Sequence, residues 1–330
     1  MKKIIALAVA AVVAAPAMAD LTISGTAAVG YSASDAAYKT DAELAQIEGA
    51  KLLAAADGVW TAAELAQVKA LSDANGSNKG NAGFGVDTAT ITVKGSETLE
   101  SGLTVSGYFG FGGGARGATP GGEDAGLKVS GDFGSVEVAA KELGNGVYGY
   151  GSSVAENFTG ELVGAASNKD SIKYTAPAMG AVTLSVGYSE EVGLGKGQDS
   201  DFTPDVNAAI AMGDLSGFVN YRFEGDAVGT QRTRFGVKYN AGVAVISAAH
   251  EMYDNATDTT NTNFGIDVPV GATTIGLNYG INDAGTNLSG TSVGFKHMLS
   301  DNLSVSGKYT KYETAGDDVT KSTVLMSLAF

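Results

Sequence analysis

The chain contains no cysteine, only five prolines and two histidines, and 21 basic against 36 acidic residues. Without cysteine there is no disulfide framework to hold small domains together, so stability must come from one large ladder or core. Two histidines far apart in sequence, His250 and His297, do not make a zinc site without a third ligand motif. The formal charge of -15 argues against a nucleic-acid partner, since such partners favour basic surfaces. No stretch of about 18 apolar residues follows residue 19, so no helix long enough to span a bilayer is expected. Glycine, by contrast, is abundant at 47 residues.

Both ends of the chain carry patterns. Met1 to Ala19 reads as a secretory signal: Lys2 and Lys3, an apolar stretch from Ile4, Pro16, then Ala17-Met18-Ala19 as an A-x-A cleavage site. Cleavage is expected between Ala19 and Asp20, leaving residues 20–330 as a single unit and moving the formal charge from -15 to -17. At the other end Val324, Met326, Leu328 and Phe330 alternate with Thr323, Leu325, Ser327 and Ala329. Termini usually fray. A closed barrel is the exception, because its last strand must pair with its first.

Short alternating segments recur between these ends. Leu21, Ile23, Gly25, Ala27, Val29 and Tyr31 form one face of a first strand. Thr88, Thr90, Thr92 and Lys94 oppose Ala89, Ile91 and Val93 in a second. Leu103, Val105, Gly107, Phe109 and Phe111 alternate with Thr104, Ser106 and Tyr108 in a third. Later pairs flank Asp132-Phe133-Gly134, Pro177 to Gly180, Gly213 to Leu215, Asn240 to Gly242, Pro269 to Gly271 and Leu299 to Asn302. These are turn residues. The count is 16 strands. Junctions from even to odd strands are short, and nearly all the others are longer, as in a barrel with tight turns on the periplasmic side. The fold class is therefore all-β, a transmembrane antiparallel barrel. The first long loop, 34–81, shows helical patterning from Asp41 to Ala56 and from Thr61 to Leu71, with Thr61 and Glu64 as a capping box. Its Asp57 to Glu64 imitates part of a calcium loop, but Leu53 and Ala55 fall where ligands would be needed. The third loop, 143–169, is rich in Gly, Ser and Asn, and a loop of that length implies a function.

Three segments then carry a resemblance. Leu127 to Val138 surrounds a Phe-Gly turn, Asn168 to Pro177 follows the third loop, and Phe330 is a terminal aromatic. In this order the chain resembles the general-diffusion porins of Gram-negative outer membranes, over nearly all of residues 20–330. The resemblance implies a homotrimer of 16-stranded barrels whose third loop folds into the lumen. It further implies small hydrophilic solutes as cargo, no cofactor, and contact with outer-membrane lipid and lipopolysaccharide. Phe330 would be the signal read by the barrel-insertion machinery. One departure stands out: Ala140-Lys141 replaces the Gly-Arg common in the family, keeping the charge and changing its geometry.

A diffusion pore selects by bore, lining charge and local field. Inward parity places Lys94, Lys128, Lys141, Lys173, Arg222, Arg232, Arg234, Lys238, Lys296 and Lys308 on the lumen wall. The resemblance sets this basic wall against acids of the third loop, here Glu156 and Glu161, with the two acids facing the three arginines. Inward acids Glu137, Glu224 and Asp267 balance part of the wall, so weak ion selectivity of open sign is expected. Tyr31, Tyr188, Tyr221, Phe223, Tyr239, Tyr279 and Tyr309 suit interfacial girdles. Gly25, Ala27 and Ala28 suit close packing between subunits.

Three other functions bear comparison. An outer-membrane enzyme needs a nucleophile beside His250 or His297, and neither lies in such a motif. A substrate-specific channel calls for aromatic ladders or a dense charge track. A structural or adhesive barrel displaying its first loop predicts a closed lumen without conductance.

Overall fold

The computed structural model describes residues 20–35, 81–114, 121–143, 148–156, 167–190, 202–223, 231–254, 259–283, 287–313 and 318–330. They form sixteen strands and one 3-10 turn. The first eight strands are β1 (Asp20–Ser34), β2 (Asn81–Thr98), β3 (Thr104–Gly114), β4 (Gly121–Gly131), β5 (Gly134–Leu143), β6 (Ser167–Thr175), β7 (Val182–Glu190) and β8 (Phe202–Met212). The others are β9 (Leu215–Arg222), β10 (Gln231–Asn240), β11 (Val245–Asp254), β12 (Thr260–Val270), β13 (Thr273–Asp283), β14 (Asn287–Met298), β15 (Leu303–Glu313) and β16 (Asp318–Ala329). Each strand pairs antiparallel with its neighbours in sequence, and β1 pairs with β16 to close the barrel. Closure leaves no open sheet edge, which a bilayer demands.

The ladder follows the expected alternation. Outward positions of β16 and the terminal residue are Val324, Met326, Leu328 and Phe330, all exposed. Five of the short connections carry a glycine at positive φ: Gly102, Gly180, Gly213, Gly242 and Gly271. Gly134, with φ 98°, opens β5 just after the Asp132-Phe133 turn. There a Cβ would lie 2.1 Å from the Thr175 carbonyl oxygen, so both the left-handed backbone and the close approach of β6 require glycine.

The expected signal segment with its cleavage residue Ala19, and the helical insertion of the first loop, lie outside the described residues. Ala28 departs from expectation. It pairs with Ser327 and Thr88 on the inner face and is buried, so it cannot pack against another subunit. Side chains alternate strictly along a strand, and Ala28 follows the outward Ala27.

Candidate functional site

Which face is the inside is fixed by the third loop. Its described part, Tyr148 to Glu156, begins with a 3-10 turn at Tyr148–Tyr150 and lies against β10 to β15. Ser247 Oγ donates to the Gly151 carbonyl at 3.0 Å, and Asn263 Nδ2 donates to the Tyr150 carbonyl at 3.2 Å. The Ser152 amide donates to Asn278 Oδ1 at 3.0 Å, and the Glu156 amide to Ser292 Oγ at 2.8 Å. The Ser152 hydroxyl donates to Asp267 Oδ1 at 2.5 Å, while the Ser153 amide donates to Asp267 Oδ2 at 2.8 Å. The same hydroxyl accepts from the amides of Val154 and Ala155 at 3.2 and 3.0 Å. Loop backbone laid on the inner wall thus finds a partner for each of these amides.

Glycines make room for it. A Cβ at Gly265 would lie 2.2 Å from Ser152 N, at Gly276 2.1 Å from Ser152 Oγ, and at Gly294 2.1 Å from the Val154 carbonyl oxygen. Gly236 lies under Tyr150 and Phe218, whose rings meet at 4.8 Å. These four glycines form a seat shaped to the loop.

Residues directly paired across strands share a face. Following the register from this wall puts Arg222, Arg232 and Arg234 on the interior, side by side on β9 and β10. It continues through Asp205, Gly187, Lys173, Glu137 and Lys128. Lys94 is interior through Tyr108 and Gly126, and Lys141 shares the face of Glu137. The described basic residues of the expected set therefore lie on the inner face.

Their surroundings differ. Arg232 and Arg234 are nearly buried and converge on Glu251 Oε1, at 3.5 and 4.0 Å from their Nε atoms. Glu251 is 0% exposed and also accepts a hydrogen bond from Asn261 at 3.1 Å. Arg234 further donates twice to Asn220 Oδ1, at 3.2 and 2.8 Å. Glu156, expected against these arginines, instead meets Lys308 of β15 at 2.8 Å. Its amide is tied to Ser292 on β14, which carries the carboxylate toward β15. Glu161 and Glu224 lie outside the described residues. Lys94, Lys128 and Lys173 are exposed, and Lys141 pairs with Glu137 at 3.0 Å.

On the outer face His250 and His297 hydrogen-bond Thr262 and Thr273 at 2.7 and 2.8 Å, on the neighbouring β11–β12 and β13–β14 pairs. The two lie far apart along the strands, since Thr262 stands opposite Ile281 of β13 and not Thr273. Among the described residues no group of three or more potential metal ligands occurs. Sequence reasoning flagged Asp267 and Glu137 only as balancing charges, and it did not anticipate the glycine seat. The available signal was glycine at inward parity in β12, β13 and β14, where a lumen wall otherwise carries polar side chains.

An apolar exterior, a polar and charged interior and a loop bound to one inner wall define a membrane-spanning channel. The model of the Gram-negative porin family matches residues 6–317, and the chain belongs to that family. Its place is the outer membrane, where it forms a channel for passive diffusion of solutes. No curated protein sequence matches the chain. Among solved structures, the anion-selective porin from Comamonas acidovorans is similar at 17% identity and TM-score 0.69, covering 95% of this chain and 100% of that one. A triple mutant of Rhodopseudomonas blastica porin is similar at 13% identity and TM-score 0.62, covering 94% and 100%. These likenesses concern the fold.

Proposed function

We propose that the channel is constricted between the third loop and the wall formed by β2 to β6, and that this wall favours small anions. One observation carries the reading. Residues 151–156 are bonded to the inner face of β11 to β15, which leaves Lys94, Lys128 and Lys173 exposed on another part of the wall. In a narrow, partly desolvated passage such charges are screened less than at a surface. Lys141, Arg222, Arg232 and Arg234 extend the same positive field, and Glu156 and Glu161 oppose it from the loop. The similar Comamonas porin is itself described as anion-selective. Planar-bilayer conductance of the purified protein, with reversal potentials in a KCl gradient, tests the reading. A potential of cation-selective sign overturns the preference, and absent conductance overturns the channel assignment.

The same reading includes a homotrimer, removal of residues 1–19, a helical first loop over 34–81, contact with lipopolysaccharide, and Phe330 as the signal for the insertion machinery. Mass in mild detergent tests the trimer, and mass spectrometry of the mature N-terminus tests cleavage before Asp20.

A further inference from the structure

On the inner face of β5, the two oxygens of Glu137 are held by two different donors. Tyr108 Oη donates to Oε1 at 3.0 Å, and Lys141 Nζ donates to Oε2 at 3.0 Å. Lys128 on β4 and Lys173 on β6 stand directly across from it in register. The tyrosine reaches β5 only because β4 offers no side chain in its path. Its ring lies over Gly126, where a Cβ would fall 2.7 Å from Cε1 and Cζ. Lys141 lies four residues along the same strand, on the order of 13 Å of rise, so both chains must lean together to meet. Both remain partly open to the lumen, at 24% and 22% exposure, so water and passing ions reach the pair.

A phenol, an ammonium group and two flanking ammonium groups arranged around one carboxylate make a receptor for a carboxylate. We infer that Glu137 occupies, with its own side chain, a binding site for small monocarboxylates, and so acts as a tethered counter-ion that sets how strongly the wall attracts anions. This rests on the proposed position of the passage along the β2 to β6 wall. Tethering gives Glu137 a high local concentration against a solute in the lumen, so the native pore passes anions without retaining them. Removing the carboxylate while keeping Tyr108 and Lys141 exposes the receptor.

The test uses the purified full-length porin in planar bilayers, with wild type, Glu137→Ala, Glu137→Gln and the double variant Glu137→Ala with Lys141→Gln. In KCl gradients the anion-over-cation permeability ratio of both single variants is expected to rise about two- to threefold, because one fixed negative charge leaves a narrow lumen. Acetate titrated into KCl should lower the chloride-carried conductance of Glu137→Ala in a saturable way. Wild type should show only the linear effect of replacing chloride, and so should the double variant. Saturation in the double variant equal to that in Glu137→Ala overturns the site. An unchanged permeability ratio in both single variants overturns the counter-ion role. Either result leaves wild-type conductance intact, whereas failure of the channel reading removes it.

Discussion

Phe330 and Gly25 close the barrel at one end of its seam. The Gly25 amide donates to the Phe330 carbonyl at 2.9 Å and the Phe330 amide to the Gly25 carbonyl at 3.1 Å. The phenyl ring covers the glycine, where a Cβ would fall 2.5 Å from Cζ. At the other end Asp35 accepts from both the amide and the hydroxyl of Thr320, and its own amide donates to the Thr320 carbonyl at 3.1 Å. The terminal aromatic therefore has a seat in the finished barrel, apart from any role as an assembly signal.

The two roles separate by mutation. Gly25→Val keeps Phe330 but fills the seat, its Cβ falling 2.5 Å from both the ring and the Thr90 carbonyl oxygen, and overpacking of this kind costs about 1–3 kcal/mol. The folded barrel should appear in the membrane at near-normal yield and unfold at lower temperature, read as the heat-modified shift on gels. Phe330→Ala should lose membrane yield as well. Equal yields for the two variants would mean that the terminal ring matters only through its seat.

Asp35 supplies a pH dependence. The Thr320 hydroxyl, and then the Thr320 amide, hold its carboxyl below the ordinary value of 3.8. Only the ionised form accepts both bonds, so their contribution is complete above that value and is lost as pH falls through the lower folded value. Acidification below about pH 4 should therefore weaken the seam in wild type, and less so in Asp35→Asn. Identical acid sensitivity of the two in heat-modification assays would remove Asp35 from the closure.

Much of this was legible because the side-chain period of a strand is two. Leu103 to Phe111 reads as a lipid-facing strand from alternation alone, and the same parity placed Lys94, Lys128 and Lys173 inside. Parity fails where size is used in its place, as with Ala28, which is small enough for a subunit contact yet sits on the inner face. Partners across the lumen lie beyond any local pattern. Glu156 and Lys308 are 152 residues apart, and which cation meets the loop depends on how its backbone is seated. That seat is made of absent side chains, and a glycine in a barrel strand equally well marks a bulge or a tight bend.

The seat makes its own prediction. At Gly276 a Cβ would lie 2.1 Å from Ser152 Oγ and 2.6 Å from Val154 Cγ2. Gly276→Val should push the loop off the wall into the bore, lowering single-channel conductance and raising open-channel noise. Ser152→Ala removes the hydroxyl that joins Asp267 to two loop amides without adding bulk. It should raise the noise with a smaller change in mean conductance. Native conductance and noise in Gly276→Val would show that the loop does not set the bore.

The two kinds of basic residue should respond differently to loss of charge. Arg232 and Arg234 both lean on Glu251, which has no exposure to water. Replacing both by Gln takes two cations from a buried carboxylate, and breaking such a pair costs about 3–5 kcal/mol. Heat resistance should fall sharply, and a third change, Glu251→Gln, should restore part of it by removing the buried charge. Lys128 and Lys173 are exposed, so Lys128→Gln with Lys173→Gln should change stability by no more than about 0.5 kcal/mol each. That double variant should still shift the reversal potential toward cations, because its charges face the open lumen. The arginine pair would be the selectivity element instead if its loss moved the reversal potential strongly while leaving the unfolding temperature unchanged.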